Sequence, residues 1–306
     1  MKFDVILTNP PFQDSVNRKK TPHKLWIDFT LAVFDRLLAE GGSLVQVSPA
    51  SFSSPSNVVL ELMEENQTNV LRFENEHHFP DVASTFSDYW IKKTENDPTP
   101  TTVIKGDETF DIELDKSMLY LPNDLGRLSM SIHGKVMFTP RTRLGVQWDY
   151  VACHNIRRYD KNPTLVEVET PEHPYPIFHT NRSTWWSSVR QDWAGNLKVM
   201  WTRSGYTKPF YDHGKLGGTD MVYYVPVETE EQGRVLAHNL NTELMQYIYK
   251  TAKWSGFGNE RVFSRLPALP RFEALTDEEM FAFFELTEEE VAYVRAAVAP
   301  RRRKAG

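Results

Sequence analysis

Asn9-Pro10-Pro11-Phe12 combines an amide oxygen, a proline carbonyl and an aromatic ring within four residues. That set suits one kind of chemistry. A planar amine such as the exocyclic group of adenine is a weak nucleophile, because its lone pair is delocalised into the ring. Two acceptors can hold its two hydrogens and draw the nitrogen toward tetrahedral geometry. The Asn9 side chain supplies one acceptor and the Pro10 carbonyl the other, and proline brings no N–H to compete. The Phe12 ring can stack on the flat base, which is worth roughly 1–3 kcal/mol. A base in a duplex must first leave the stack, as enzymes that work on bases require.

The flanking residues say how this tetrapeptide is held. Phe3-Asp4-Val5-Ile6-Leu7-Thr8 is β-branched and apolar and reads as a buried strand. Pro10 and Pro11 stop the strand and stiffen the turn. Asn9 and Phe12 therefore stand just past a strand's carboxyl end, where open α/β sheets bind ligands. Apolar residues at 25, 26, 29, 33, 34, 37 and 38 predict a helix, ended by Gly41-Gly42. Ser43–Pro49 is a second strand, followed by a Ser/Pro loop. A helix over about 57–66 comes next, then strands over Asn69–Phe73 and Phe86–Ile91.

With that order of elements the stretch resembles the catalytic domain of the amino methyltransferases that act on adenine N6 in DNA, of the gamma-group, type IIG-like and phage-encoded kinds. It is similar to the second half of that domain. The tetrapeptide also occurs in methyltransferases acting on RNA and on glutamine side chains, and a plain proline-rich turn is the simplest alternative. The resemblance implies an α/β fold: a partial Rossmann-like class I methyltransferase sheet in residues 1–97. It implies S-adenosylmethionine as cofactor and Asn9, Pro10, Pro11 and Phe12 as the catalytic motif. It also implies that Phe86, in Ser84-Thr85-Phe86, packs on the other face of the flipped base. An aromatic beside Tyr89 and Trp90 can equally be core.

In that family the cofactor is held by a glycine-rich loop and an acidic strand end that precede the Asn-Pro-Pro-Phe strand. Only Met1 and Lys2 precede it here, and Gly256-Phe257-Gly258 lacks the strand and helix of a nucleotide loop. The cofactor-binding residues are thus unknown, expected in a missing segment or a partner chain. Phe3–Thr8 would then be an exposed apolar edge, which invites pairing with another chain. The chain reads as a split-enzyme subunit, as a fragment, or as a non-catalytic DNA-binding specificity subunit.

Composition narrows the setting. The 306 residues suffice for two domains, and 40% hydrophobic with 25% charged residues is ordinary for a globular protein. No run approaches the ~18 apolar residues of a membrane helix, and no charged-then-apolar leader precedes the first strand, so a cytoplasmic protein is expected. One cysteine, Cys153, excludes an internal disulfide and a cysteine-rich zinc site, and the histidines show no metal-ligand spacing. Net charge is −6, unevenly spread. Residues 1–125 hold 11 Lys/Arg against 20 Asp/Glu, residues 126–215 hold 13 against 7, and residues 216–306 hold 11 against 14. A basic middle between acidic flanks is the footprint of a nucleic-acid contact, or of arginines clustered on a solvated face.

That basic middle falls in a second region. Asn96-Asp97-Pro98-Thr99-Pro100 reads as a linker. Beyond it tryptophans and tyrosines interleave with arginines, most densely at Asn181–Trp186 and Trp201–Tyr206. Arginine contacts phosphates and guanine edges, and aromatics stack or wedge, although many of these tryptophans must be core. Residues 98–270 are therefore expected to form a mixed α+β target-recognition domain for double-stranded DNA, with Arg182, Arg190 and Arg203 as contacts. Arg18, Lys19 and Lys20, just after the tetrapeptide, suit a phosphate backbone or a solvated loop equally. Glu230–Lys250 reads as one amphipathic helix. Residues 271–306 form a helical tail with capping boxes at Thr276-x-x-Glu279 and Thr287-x-x-Glu290. Arg301–Lys304 close it as a solvated end or a phosphate contact.

Overall fold

The computed structural model describes residues 2–12, 24–73, 85–95, 99–149, 164–180, 184–205, 207–254 and 257–299. It divides into two compact units, Met1–Ser131 and Ile132–Gly306.

The first unit is built on a mixed six-stranded sheet. The apolar run at the start forms β1 (Phe3–Thr8), and α1 (Leu25–Ala32) continues into a π-helical turn, Val33–Leu37. Then come β2 (Leu38–Pro49), α2 (Val58–Glu65), β3 (Asn66–Phe73), β4 (Phe86–Glu95), β5 (Thr101–Lys105), β6 (Glu108–Ile112) and α3 (Arg127–His133). The strand order is β1-β2-β4-β3-β5-β6. β1 runs parallel to β2, and β3 runs parallel to β5. β4 is inserted antiparallel between β2 and β3, and β6 returns antiparallel on β5. β1, β2, β3 and β5 thus share one direction. β2 shows a period of two, with Leu44, Gln46 and Ser48 buried and their neighbours half-buried. Leu44, Leu71, Tyr89, Ile91 and Val103 of the sheet and Trp26, Phe52, Val59 and Met63 outside it form a core that is at most 1% exposed.

Two expectations change here. The helix predicted to run to Leu38 and stop at Gly41-Gly42 ends at Leu37, because Leu38 is already extended and pairs with Phe3. The glycines make the tight return instead. Gly41 has φ +76°, and a Cβ on Gly42 would lie 2.9 Å from the Ala39 carbonyl and 3.1 Å from that of Asp4. Strands β5 and β6, which follow the linker-like Pro98-Thr99-Pro100, extend the first sheet and lie in the first unit.

The second unit opens with β7 (Gln147–Trp148), β8 (Leu165–Val166), β9 (Tyr175–Phe178), β10 (Thr184–Ser187), β11 (Lys198–Thr202), β12 (Phe210–Asp212), β13 (Gly217–Gly218) and β14 (Val222–Pro226). These make two four-stranded sheets, β13-β9-β10-β8 and β12-β11-β14-β7. Then follow α4 (Glu230–Asn239), α5 (Glu243–Thr251), the short pair β15 (Lys253–Trp254) and β16 (Phe257–Gly258), α6 (Glu260–Phe263), α7 (Asp277–Phe283) and α8 (Glu288–Val298). The single helix expected over Glu230–Lys250 is two. Asn239 turns its amide onto the Pro270 and Glu273 carbonyls at 2.9 Å each, and the Thr242 hydroxyl donates to the Asn239 carbonyl at 2.9 Å. Such local bonds compete with the helical ladder and break it between Asn239 and Glu243. Both predicted capping boxes form, at Thr276/Glu279 and Thr287/Glu290. Among the described residues no helix is long and apolar enough to cross a membrane.

Candidate functional site

The end of the first sheet where β1, β2 and β3 finish is also where the antiparallel β4 begins. Thr8 pairs with Gln46, Pro49 with Phe86, and Phe73 with Ser87. Asn9–Phe12 leaves the sheet at that end. Asn9 and Pro11 are exposed, Pro10 is buried and Phe12 is half-buried. Burial of the Pro10 ring anchors the turn and leaves the Asn9 carboxamide on the surface.

The Phe12 and Phe86 rings meet, with centroids 5.1 Å apart and planes tilted by 35°. Phe86 is 0% exposed. A base inserted between two rings needs two stacking distances of about 3.4 Å each, more than this separation provides. Phe86 therefore stands behind Phe12 here. For it to touch the far face of a base, one ring must turn away.

More aromatic and polar groups fill the same end of the sheet. Phe52 lies 5.9 Å from Phe73 and 5.6 Å edge-on from Tyr89. Gln46 donates from Nε2 to the Thr30 and Tyr89 hydroxyls, both at 2.6 Å, and the Thr30 hydroxyl donates in turn to the Trp26 carbonyl at 2.6 Å. Burial pushes the Tyr89 hydroxyl well above the usual tyrosine range. Gln46 Oε1 and Ser87 Oγ are buried without a partner among the described residues. Buried side-chain polarity beneath a strand end is itself informative, since such groups are usually paired. The sequence reading passed over it, although the alternation Leu44-Val45-Gln46-Val47-Ser48 puts two polar residues on the inward face.

The other sequence-predicted residues fare differently. Arg18, Lys19, Lys20, Arg182, Cys153 and Arg301–Lys304 lie outside the described residues. Arg190 is exposed, and its guanidinium passes over Gly195, where a Cβ would sit 2.7 Å from Nη2. Arg203 is turned inward. It pairs with Glu260 at 2.7 Å, donates to the Asp220 carbonyl at 3.2 Å and covers the Tyr223 ring at 5.8 Å. Among the tryptophans, Trp201 is core at 2% exposed. Trp193 stacks on Tyr224 at 4.1 Å and donates from Nε1 to Asp149 at 3.2 Å.

No protein-family model and no curated protein sequence matches the chain. Solved structures do. The chain is similar to the type IIG restriction endonuclease BpuSI over 98% of its own length and 50% of that protein's, at 11% identity and a TM-score of 0.34. It is similar to the protein of the DrdV–DNA complex over 92% and 43%, at 10% identity and a TM-score of 0.48. It is similar to the M protein of the type I restriction enzyme EcoKI over 34% and 25%, at 16% identity and a TM-score of 0.28. The chain thus spans half or less of the length of each of these structures.

Proposed function

We propose that this chain is part of an adenine-N6 DNA methyltransferase of the restriction-modification kind, with the first unit contributing the target-base site and the second, from Ile132 onward rather than from residue 98, the recognition of double-stranded DNA. One observation carries the reading. Asn9–Phe12 follows the carboxyl end of β1, beside the ends of β2 and β3, with the Phe12 ring backed by Phe86. In this proposal Asn9 and the Pro10 carbonyl accept the two hydrogens of the adenine amine. Pro11 stiffens the turn, Phe12 stacks on the base and Phe86 supports Phe12 from behind. Arg190, with Arg182, Arg18, Lys19 and Lys20, contacts the phosphate backbone. Arg203 acts less directly, by holding Glu260 and the Asp220 carbonyl.

The methyl donor of such an enzyme is S-adenosylmethionine, which supplies an electrophilic methyl group. The turns after β1 and β2, Asn9–Phe12 and Ala50–Ser53, carry neither a glycine nor an acidic residue. The described residues do not by themselves fit that cofactor. We assign its binding to a further polypeptide segment, whether a partner chain or more of the same chain. β1 supports this. It has β2 on one side and no partner strand on the other among the described residues. Phe3, Val5 and Leu7, alternating on one face, are 43%, 61% and 75% exposed. An unpaired apolar strand edge is a pairing surface. The alternatives are a non-catalytic DNA-binding subunit and a methyltransferase of RNA or protein.

Two titrations test the reading. The chain should bind duplex DNA with an affinity that falls steeply with salt, and Arg190→Ala should flatten that dependence. Salt-independent binding, or none, counts against the recognition unit. In calorimetry the isolated chain should bind S-adenosylmethionine weakly; tight binding would overturn the divided-site reading.

A further inference from the structure

One cavity in the second unit, of about 260 Å³, lies outside the site above. Its wall carries Arg203, Lys208, Lys250 and Lys253 and, among the described residues, no carboxylate. Trp201, Tyr249 and Phe263 supply the apolar side. Their rings lie nearly parallel in sequence, Trp201 to Tyr249 at 20° and Tyr249 to Phe263 at 20°.

Three of the cations are held by the fold, Lys250 by donating to the Ala297 carbonyl at 2.5 Å. Arg203 is held by Glu260 and the Asp220 carbonyl, as described. Lys253 donates from Nζ to the Ser204 carbonyl at 2.7 Å. It runs past Gly205, where the absence of a side chain matters: a Cβ there would lie 2.6 Å from Nζ, and φ is +74°. Burial draws the Lys253 ammonium below the usual lysine range, the mark of a cation kept from water. Lys208 and Lys250 are exposed at the rim. Four wall residues also carry a buried polar atom with no protein partner among the described residues: Trp201 Nε1, Arg203 Nε, Thr207 Oγ1 and the Tyr249 hydroxyl. All four can donate a hydrogen bond. Clustered cations and surplus donors with an apolar wall call for a ligand with several anionic acceptors and a flat or apolar body.

We infer that this cavity is an anion site that takes the phosphate group of a nucleotide, either free or within a DNA strand. Where the phosphate belongs to DNA, this rests on the DNA-binding reading above. A phosphate offers acceptors to several donors at once, and its charge suits a wall of cations. The nucleoside lies against the aromatic side.

The test is calorimetry on the full chain with inorganic phosphate and with dAMP, repeated in competition with a mixed-sequence duplex. Lys253→Met should weaken dAMP binding about tenfold or more, as expected for loss of a charge-assisted hydrogen bond. Lys208→Gln, at an exposed position that leaves the fold intact, should weaken it severalfold. Failure of wild type to bind phosphate or dAMP overturns the inference, as does equal affinity in both variants. If the duplex displaces dAMP, the phosphate is that of DNA; if dAMP binds and the duplex does not, the cavity takes a free nucleotide and the DNA reading fails on its own. If the duplex binds but dAMP does not, the cavity inference fails while the DNA reading stands.

Discussion

Asp212→Ala should be among the most damaging single substitutions in the second unit. Lys198 is 0% exposed, and its ammonium donates to Asp212 at 2.7 Å and to the Ala194 and Asn196 carbonyls at 2.8 and 3.1 Å. The same Asp212 oxygen accepts the backbone N–H groups of Gly214 and Lys215 at 3.0 Å and of Leu216 at 3.3 Å. Removing the carboxylate strands a buried cation and three amides together, which costs about 3–5 kcal/mol. Lys198→Met should be milder, about 1–3 kcal/mol, because Asp212 keeps its three amide donors. Burial already holds the Lys198 ammonium below the usual lysine range, and loss of Asp212 pushes it lower. A folded value below the unfolded one means that the unfolded chain binds more protons, so stability rises with pH. The Asp212→Ala deficit should therefore shrink between pH 7 and pH 9. Urea unfolding followed by tryptophan fluorescence measures this, since six of the eight tryptophans lie beyond residue 131. An Asp212→Ala chain within about 1 kcal/mol of wild type, or a deficit that grows with pH, would refute the reasoning.

Other outcomes follow from the same geometry. Glu64, buried on α2 beside Glu61 and Asp115, has its carboxyl raised by burial to about 8. Its folded value lies above the unfolded one, so its contribution is complete below about pH 4.5 and is lost as pH rises through about 8. Glu64→Gln should flatten the fall in first-unit stability between pH 5 and pH 9, and an unchanged slope in thermal unfolding at those two pH values would contradict this. Gly233→Ala in α4 gains about 1 kcal/mol of helix propensity, but its Cβ would lie 2.2 Å from Tyr211 Cδ2. The clash should prevail, giving a net loss of about 1–2 kcal/mol in urea unfolding; a stabilised variant would show that the Tyr211 ring yields freely.

Local signals were legible in proportion to how local their causes are. The extent of β1 and both capping boxes rest on neighbouring residues and form where the sequence predicts them, although β1 is exposed at Phe3, Val5 and Leu7 rather than buried, because no strand covers its outer side among the described residues. The end of the first helix was missed because its cause is distant: pairing with Phe3 draws Leu38 into the sheet. The break in Glu230–Lys250 was missed for a similar reason, since Asn239 bonds across to Pro270 and Glu273. At the candidate site the tetrapeptide could be read directly. The contact between Phe12 and Phe86 and the buried Gln46–Tyr89 bond depend on strand order, which periodicity does not supply. The inward turn of Arg203 toward Glu260 was equally out of reach, as nothing in an arginine-rich run tells a surface contact from an internal ion pair.

The central claim is that Asn9 holds an adenine amine for methylation. It is tested most directly by mapping N6-methyladenine in the genomic DNA of cells that express this chain with its neighbouring reading frames, comparing wild type with Asn9→Ala at equal protein levels. Methylation at a defined sequence is expected in the wild type and its loss in the variant. Methylation that persists undiminished in Asn9→Ala, or its absence from the wild type, would contradict it.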